Sequence, residues 1–256
     1  MIVAVFNPKG GVGKTTTAVN LAATLAKSRR STLLVDLETD MNASISLGVR
    51  PADAHPSIAE VLLHEVRPMD AVRTVPKVPG LHLITGSPAL SGMDAALKHV
   101  RQPEGRLSDV IRPLASEFDA IVIDSPAGFS TLALSVPDAA QHLIVPVRTE
   151  YLSLESLAHF FRWYRDRRAS HKAIADVAGI LLTLVDDRRQ ATREIVDIIR
   201  VHNRRGVFRT EIPFDQRAAE APSHGLPLAG FGRSKAAGAY EAFTRELLTR
   251  LRRRAR

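Results

Sequence analysis

The apolar run MIVAVF passes into a helical stretch at Lys14 through the segment NPKGGVGKTTT, residues 7–17. A chain that turns from strand to helix so quickly, around glycines at 10, 11 and 13, has few folds open to it. Gly13, Lys14 and Thr15 complete the second half of the phosphate-loop pattern G-x-x-x-x-G-K-[ST]. Glycines at those positions let backbone N–H groups turn inward around an anion, assisted by the helix N-terminus. The loop as a whole, Lys9, Gly10, Gly11, Val12, Gly13, Lys14, Thr15 and Thr16, is therefore expected to bind nucleotide phosphates. Lys14 would reach the β- and γ-phosphates, and the Thr15 hydroxyl would ligate Mg²⁺. One position departs from the pattern: five places before Gly13 stands Pro8, followed at once by Lys9.

The rest of the chain repeats the same alternation. STLLVD, LHLIT, AIVID, HLIVPV, AGILLTLV and VFRTEI read as further strands, several too continuously apolar to have one wet face. Helical patterns lie between them at about 14–27, 105–117, 153–168, 191–203 and 235–254. This is the pattern of a doubly wound α/β fold, a mostly parallel sheet with helices on both faces. No repeat or Gly/Ser linker divides the 256 residues, so one domain over 1–256 is expected. Residues 49–80, with several prolines, are the least regular stretch.

Two aspartates end strands on the loop's side of such a sheet. Asp124 closes AIVID and Asp36 closes TLLVD, and ligands of doubly wound sheets gather at the strands' C-terminal ends. With Thr15 they form the expected Mg²⁺ set, Asp124 acting through water as the second acidic motif of phosphate-loop enzymes does. An aspartate after a strand is often only a turn former; two beside a phosphate loop point to metal and water handling.

Composition narrows the setting. The chain has no cysteine, which excludes disulfides and thiolate metal or cluster sites. No run approaches the ~18 apolar residues of a membrane span, and MIVAVF lacks a basic leader, so a cytoplasmic protein is expected. Residues 1–150 hold 14 Lys+Arg against 15 Asp+Glu, whereas residues 151–256 hold 21 against 12. The whole basic excess is thus C-terminal, which suggests a polyanionic partner.

KGGVGKTTTAVNLAATLA resembles the deviant phosphate loop of the ParA/MinD family of ATPases, and the likeness continues along the chain. LLVDLETDMNASISLGV resembles the family's first switch and FDAIVIDSPAGFSTLAL its Mg²⁺ strand and second switch. LIVPVRTEYLSLESL, GILLTLVDDRR and EIPFDQRAAEAPSHGLP resemble the ParA branch, while DSPAG is spelled in the MinD manner. The resemblance implies an ATPase requiring ATP and Mg²⁺ that closes into a homodimer around nucleotide. It gives Lys9 a role: reaching across the sandwich to the partner subunit's phosphates, as an arginine finger would. It implies a nucleobase slot from TLVDD with Pro213, Phe214 and Asp215. Lys9, Lys14, Asp36 and Glu38 are then the catalytic candidates. The family usually has Asp-x-Asp-Pro-Gln in the first switch, and this chain has Asp36-Leu37-Glu38-Thr39-Asp40. Either Glu38, one methylene longer, positions the attacking water, or Asp40 substitutes for it; hydrolysis is expected to be slow.

For the basic region the resemblance implies non-specific DNA binding through backbone phosphates. Arg217 matches such a position; Arg188, Arg189, Arg193, Arg200, Arg204, Arg205 and Arg233 are assigned by charge alone. The implied role is nucleoid-associated positioning of a cargo, with hydrolysis stimulated by a ParB-like or cargo-adaptor partner. Two alternatives stay open. Tyr240, Phe243, Leu247, Leu248 and Leu251 share one face of the last helix before RLRRRAR, which could lie on acidic lipid in the MinD manner. An ATP-switched scaffold with little hydrolysis is the other.

Overall fold

A computed structural model describes residues 1–97, 105–170, 174–203 and 206–254. Seven strands form one sheet: β1 (Ile2–Val5), β2 (Thr32–Asp36), β3 (Arg73–Thr74), β4 (Leu81–Ile84), β5 (Ala120–Asp124), β6 (His142–Arg148) and β7 (Asp176–Thr183). Their order is β3-β4-β2-β5-β1-β6-β7, parallel throughout except for the short edge strand β3. Helices α1 (Lys14–Lys27), α2 (Asn42–Ser46), α3 (Ile58–Leu62), α4 (Met93–Leu97) and α5 (Arg106–Ile111) belong to the first part of the chain. They are followed by α6 (Thr131–Ala139), α7 (Leu152–Ser170), α8 (Gln190–His202), α9 (Arg217–Glu220) and α10 (Lys235–Arg254).

The period-2 geometry of a strand splits the core into two layers. Ile2, Ala4, Leu33, Val35, Ile121 and Ile123 face a layer built from α3 to α8. Val3, Val5, Leu34, Leu83, Val122 and Ile144 face α1 and α10. Both faces of the central strands are dry, which is why they read as unbroken apolar runs. α10 brings Tyr240, Phe243 and Leu247, all buried, onto this second layer, and Leu248 and Leu251 pack partly against it. Burying side chains of that size contributes about 1.5–3 kcal/mol each. The apolar stripe of the last helix is therefore core.

Two expectations need correction. VFRTEI does not become a strand of the ladder, although it meets β7 at isolated bridges, Ile180 with Val207 and Val185 with Pro213. Between the bridges the amides of Arg209 and Thr210 donate to the Glu246 carboxylate of α10 at 2.8 and 2.9 Å, so they are not available to a sheet neighbour. The helix expected over 105–117 stops at Ile111, before Pro113, and continues as a 3₁₀ turn over Pro113–Ser116. α6 is a helix that the sequence reading passed over; it carries Pro137 in its last turn.

Candidate functional site

β1 ends beside β5 and β6 in the middle of the sheet, and the phosphate loop leaves from there. The loop is held from three sides. The Asn7 amide donates to Pro146 O at 2.8 Å and accepts from Lys9 N at 2.9 Å. The Thr183 hydroxyl, at the end of β7, donates to Val12 O at 2.9 Å. The Gly128 amide of the second switch donates to Pro8 O at 2.8 Å. Gly13 heads α1 with φ 81°, a left-handed conformation that costs a residue with a Cβ about 1–2 kcal/mol. At Gly10 and Gly11 an added Cβ would meet nothing within 4 Å, so this side of the loop faces open space. Thr15 and Thr16 lie in the first turn of α1.

Lys14 is buried, and its ammonium donates to Lys9 O at 3.3 Å across the mouth of the loop. Burial lowers its pKa, against the opposing pull of Glu38 and Asp124. Lys9 points elsewhere: its ammonium reaches Ser153 Oγ, at the start of α7, at 3.3 Å. Phe129 of the second switch is exposed and lines a small cleft with Pro8, Lys9 and Phe160, and Tyr151 and Leu152 are exposed at the start of α7. The Lys9 side of the molecule thus presents apolar surface.

The two strand-end aspartates are register partners on adjacent strands and both are fully buried. Asp36 has its oxygens committed: Oδ1 accepts from Glu38 N at 3.0 Å, and Oδ2 accepts from Ser44 N at 2.9 Å and Ser44 Oγ at 2.7 Å. It pins the turn from β2 to α2. Gly86 crosses behind it so closely that a Cβ there would lie 2.6 Å from Glu38 O. Both oxygens of Asp124 are buried without a hydrogen-bond partner. Burial drives the Asp124 carboxyl well above the usual carboxylate range, Asp36 adds to this, and Thr15 and Lys14 act against it. Of the expected Mg²⁺ residues, then, Asp124 is open beside Thr15, while the Asp36 carboxylate is occupied in holding the first switch.

In that switch Glu38 is half-buried and Asp40 is exposed. Burial raises the Glu38 pKa, and Lys14 is the largest influence lowering it, which places its carboxylate in the field of the loop lysine. Met41 follows with φ 55° while fully buried, a strained conformation for a residue with a side chain. Ser44, Gly86 and Thr183 are the supports the sequence reading missed. No local pattern marks them, since each acts on a residue distant in the chain.

The base-slot candidates do come together. Phe214 N donates to Val185 O at 2.8 Å, and Pro213, Phe214 and Asp215 share a cleft of about 500 Å³ with Val185, Asp186 and Asp187. Phe214 is exposed on it. The Asp215 carboxylate accepts from Ser234 Oγ at 2.7 Å and Ala236 N at 3.2 Å, fixing the slot to the head of α10.

The basic candidates do not form one free surface. Arg188 is paired through two nitrogens with Asp186 (2.8 and 3.0 Å), and Arg189 approaches the same carboxylate at 3.5 Å. Arg193 donates to Asp187 O. Arg200 is engaged by Glu211 at 2.6 Å and by the carbonyls of Phe208 and Arg209, so it serves the fold and is withdrawn as a DNA contact. Arg217 and Arg233 are exposed beside the Phe214 cleft and have no acidic partner among the described residues. Arg204 and Arg205 lie outside the described residues. Among the described residues no helix is long and apolar enough to cross a membrane.

Residues 1–173 match a family model described as an AAA domain. The chain is 36% identical over 250 residues to the chromosome partitioning protein ParA of Myxococcus xanthus, covering 97% of this chain and 88% of that one. It is 32% identical over 247 residues to the sporulation initiation inhibitor protein Soj of Bacillus subtilis, covering 96% and 97%. Its structure is similar to that of cobyrinic acid a,c-diamide synthase from Mycobacterium smegmatis with bound ATP analog and magnesium. There the TM-score is 0.84 at 30% identity, over 98% of this chain and 95% of the other.

Proposed function

The chain belongs to the ParA/Soj family of ATPases, and from that premise we propose that it is a DNA-dependent positioning switch. It hydrolyses ATP with Mg²⁺, closes into a homodimer when ATP is bound, and in that form holds DNA without reading its sequence. A ParB-like or cargo-adaptor protein then triggers hydrolysis and release, in the cytoplasm and on the nucleoid. The observation that carries the reading is the buried, unpartnered carboxylate of Asp124 facing Thr15 and Lys14 below an open glycine loop.

The residues fit the nucleotide and its metal. Thr15 and Asp124 would hold Mg²⁺, which when bound supplies charge that offsets the phosphates. Lys14 and the loop amides bind phosphate oxygens, and a lysine already desolvated interacts with them more strongly than it would in water. Glu38 orients the attacking water, while Asp36, bonded to Glu38 N and Ser44, keeps the turn that aims it. Lys9 leaves Ser153 and turns to the partner subunit's phosphates. Pro213 and Phe214 cover the base, and Arg217 and Arg233 contact DNA phosphates. The lipid-binding alternative loses support, because the stripe it needs is buried on the core.

Light scattering with ATP and Mg²⁺ tests this. The wild type should double in mass. Lys9→Ala should bind ATP yet stay monomeric and hydrolyse nothing, whereas Lys14→Ala should lose ATP itself. A normal dimer in Lys9→Ala would reduce Lys9 to a surface residue and remove the sandwich mechanism.

A further inference from the structure

A second group of basic side chains lies apart from Arg217 and Arg233. The C-terminal half of α10, the end of α8 and the segment after Gly206 enclose a cleft of about 790 Å³ whose walls, among the described residues, carry six arginines and a single carboxylate, Glu246. That carboxylate is already bonded to the amides of Arg209 and Thr210 and to Arg250 at 3.2 Å.

Three of the six guanidiniums are fixed. Arg250 donates to Ala178 O at 3.1 Å and Val207 O at 3.0 Å, and lies 4.2 Å over the Phe208 ring. It nests against Gly179, where any Cβ would approach its Nη1 to 2.5 Å, so the strand omits a side chain to admit it. Arg254 donates to Val177 O at 2.9 Å, and Arg200 is held by Glu211. The guanidiniums of the other three, Arg209, Arg245 and Arg253, are exposed and have no acidic partner among the described residues. Arg245 and Arg253 stand two turns apart on one face of α10, about 12 Å at 1.5 Å per residue. Duplex DNA carries one charge per ~1.7 Å of axis, so this row spans several phosphates and not one anion.

We propose that this cleft is a second phosphodiester-backbone surface, with Arg209, Arg245 and Arg253 as its contacts. The proposal rests on the DNA reading above and goes beyond it by adding a separate contact surface on α10 and the segment after Gly206. Asp186 already compensates Arg188 and Arg189, so DNA would have to displace an ion pair there; in the cleft Glu246 and Glu211 are taken up by Arg250 and Arg200, which leaves Arg209, Arg245 and Arg253 without an acidic competitor among the described residues. An acidic membrane is the poorer occupant. A surface helix binds lipid by inserting apolar side chains, and every large apolar residue of α10 is packed on the core.

The test is fluorescence anisotropy of a mixed-sequence 30-base-pair duplex with ATP and Mg²⁺, from about 50 to 300 mM salt. Removing three phosphate contacts per protomer in Arg209→Ala/Arg245→Ala/Arg253→Ala should flatten the log–log salt slope by about 2–3 for each protomer engaged and weaken binding at least about tenfold at low salt. The triple lysine variant should keep the slope, because phosphates need only the charge. Arg188→Ala/Arg189→Ala should weaken binding less than about threefold. Thermal melting establishes that each variant is folded. Wild-type affinity and slope in the triple alanine variant would overturn the proposal while leaving the DNA reading intact. Failure of the wild type to bind the duplex at any salt would overturn both. Flotation of the wild type with phosphatidylglycerol vesicles, lost in the triple variant while duplex binding persists, would assign the cleft to lipid and overturn it as well.

Discussion

Asp36 and Asp124 end neighbouring strands, stand opposite each other in register and are equally buried, yet the fold treats them in opposite ways. Asp36 receives three hydrogen bonds, two of them from backbone amides. Asp124 has no partner at full hydrogen-bond geometry, and only the Thr15 hydroxyl stands close enough to steady its charge. A buried carboxylate without donors is costly to the folded chain. Its place beside Thr15 and Lys14 makes sense only if another group completes it. The contrast separates a carboxylate that builds the site from one that the site keeps open, and it does so without reference to any relative. Each substitution below tests whether that division holds.

The largest effect should come from Asp124→Asn. If the carboxylate is open for Mg²⁺, ATP turnover should fall by at least about 10²-fold, in the range seen when one preorganised electrostatic partner is removed. In the absence of nucleotide and metal, the same variant should melt at a higher temperature, since a neutral amide in that pocket costs less than a carboxylate. Phosphate release and a thermal melt check the two halves. A lower melting temperature together with normal turnover would show Asp124 to be structural, and the comparison would collapse.

The next effect concerns what Asp36 supports. Glu38 sits half-buried within the influence of Lys14, whereas Asp40 is exposed. Misplacing an attacking water by about 1 Å can cost ~10²-fold in rate. Glu38→Ala should therefore lower turnover by about that factor and prolong the ATP-bound dimer, while Asp40→Ala should stay within about twofold. The reverse pattern would make Asp40 the water-positioning group.

The sequence carried much of this, but unevenly. The phosphate loop was legible because its chemistry fixes spacing: glycines, Lys14 and Thr15 must act on one anion from consecutive positions. β1, β2, β4, β5, β6 and β7 were legible because burial on both faces leaves unbroken apolar runs. β3, only Arg73–Thr74, is too short to leave a pattern, and 207–212 has a strand's composition but gives the amides of Arg209 and Thr210 to Glu246, which breaks its pairing with β7. The arginines show the limit most clearly. Charge asymmetry pointed to the C-terminal part, yet whether an arginine is free depends on partners such as Asp186 and Glu211, which only the fold assigns. Asp36 and Asp124 were likewise indistinguishable in sequence, each an aspartate closing an apolar strand.

The smallest effect, and the one that tests the comparison from its other side, is Asp36→Asn. An asparagine keeps one acceptor oxygen and replaces the other with an N–H₂ donor. If the remaining oxygen stays on Glu38 N, the Ser44 amide faces a donor. The Ser44 hydroxyl, which accepts from Gly86 N at 3.1 Å, can take the new N–H₂ on its second lone pair, but its own O–H then loses its acceptor and Ser44 N gains none. One buried N–H left unsatisfied costs about 1–3 kcal/mol, and in a chain of this size each kcal/mol shifts the melting temperature by about 2–4 °C. Asp36→Asn should thus melt several degrees below the wild type without nucleotide, opposite in sign to Asp124→Asn. Turnover should fall less than in Glu38→Ala, since Glu38 is still present but less firmly aimed. An unchanged or higher melting temperature would mean that the burial cost of the Asp36 charge outweighs its three hydrogen bonds. Both aspartates would then be strained carboxylates awaiting a cation, and Asp36 would return to the Mg²⁺ set beside Asp124.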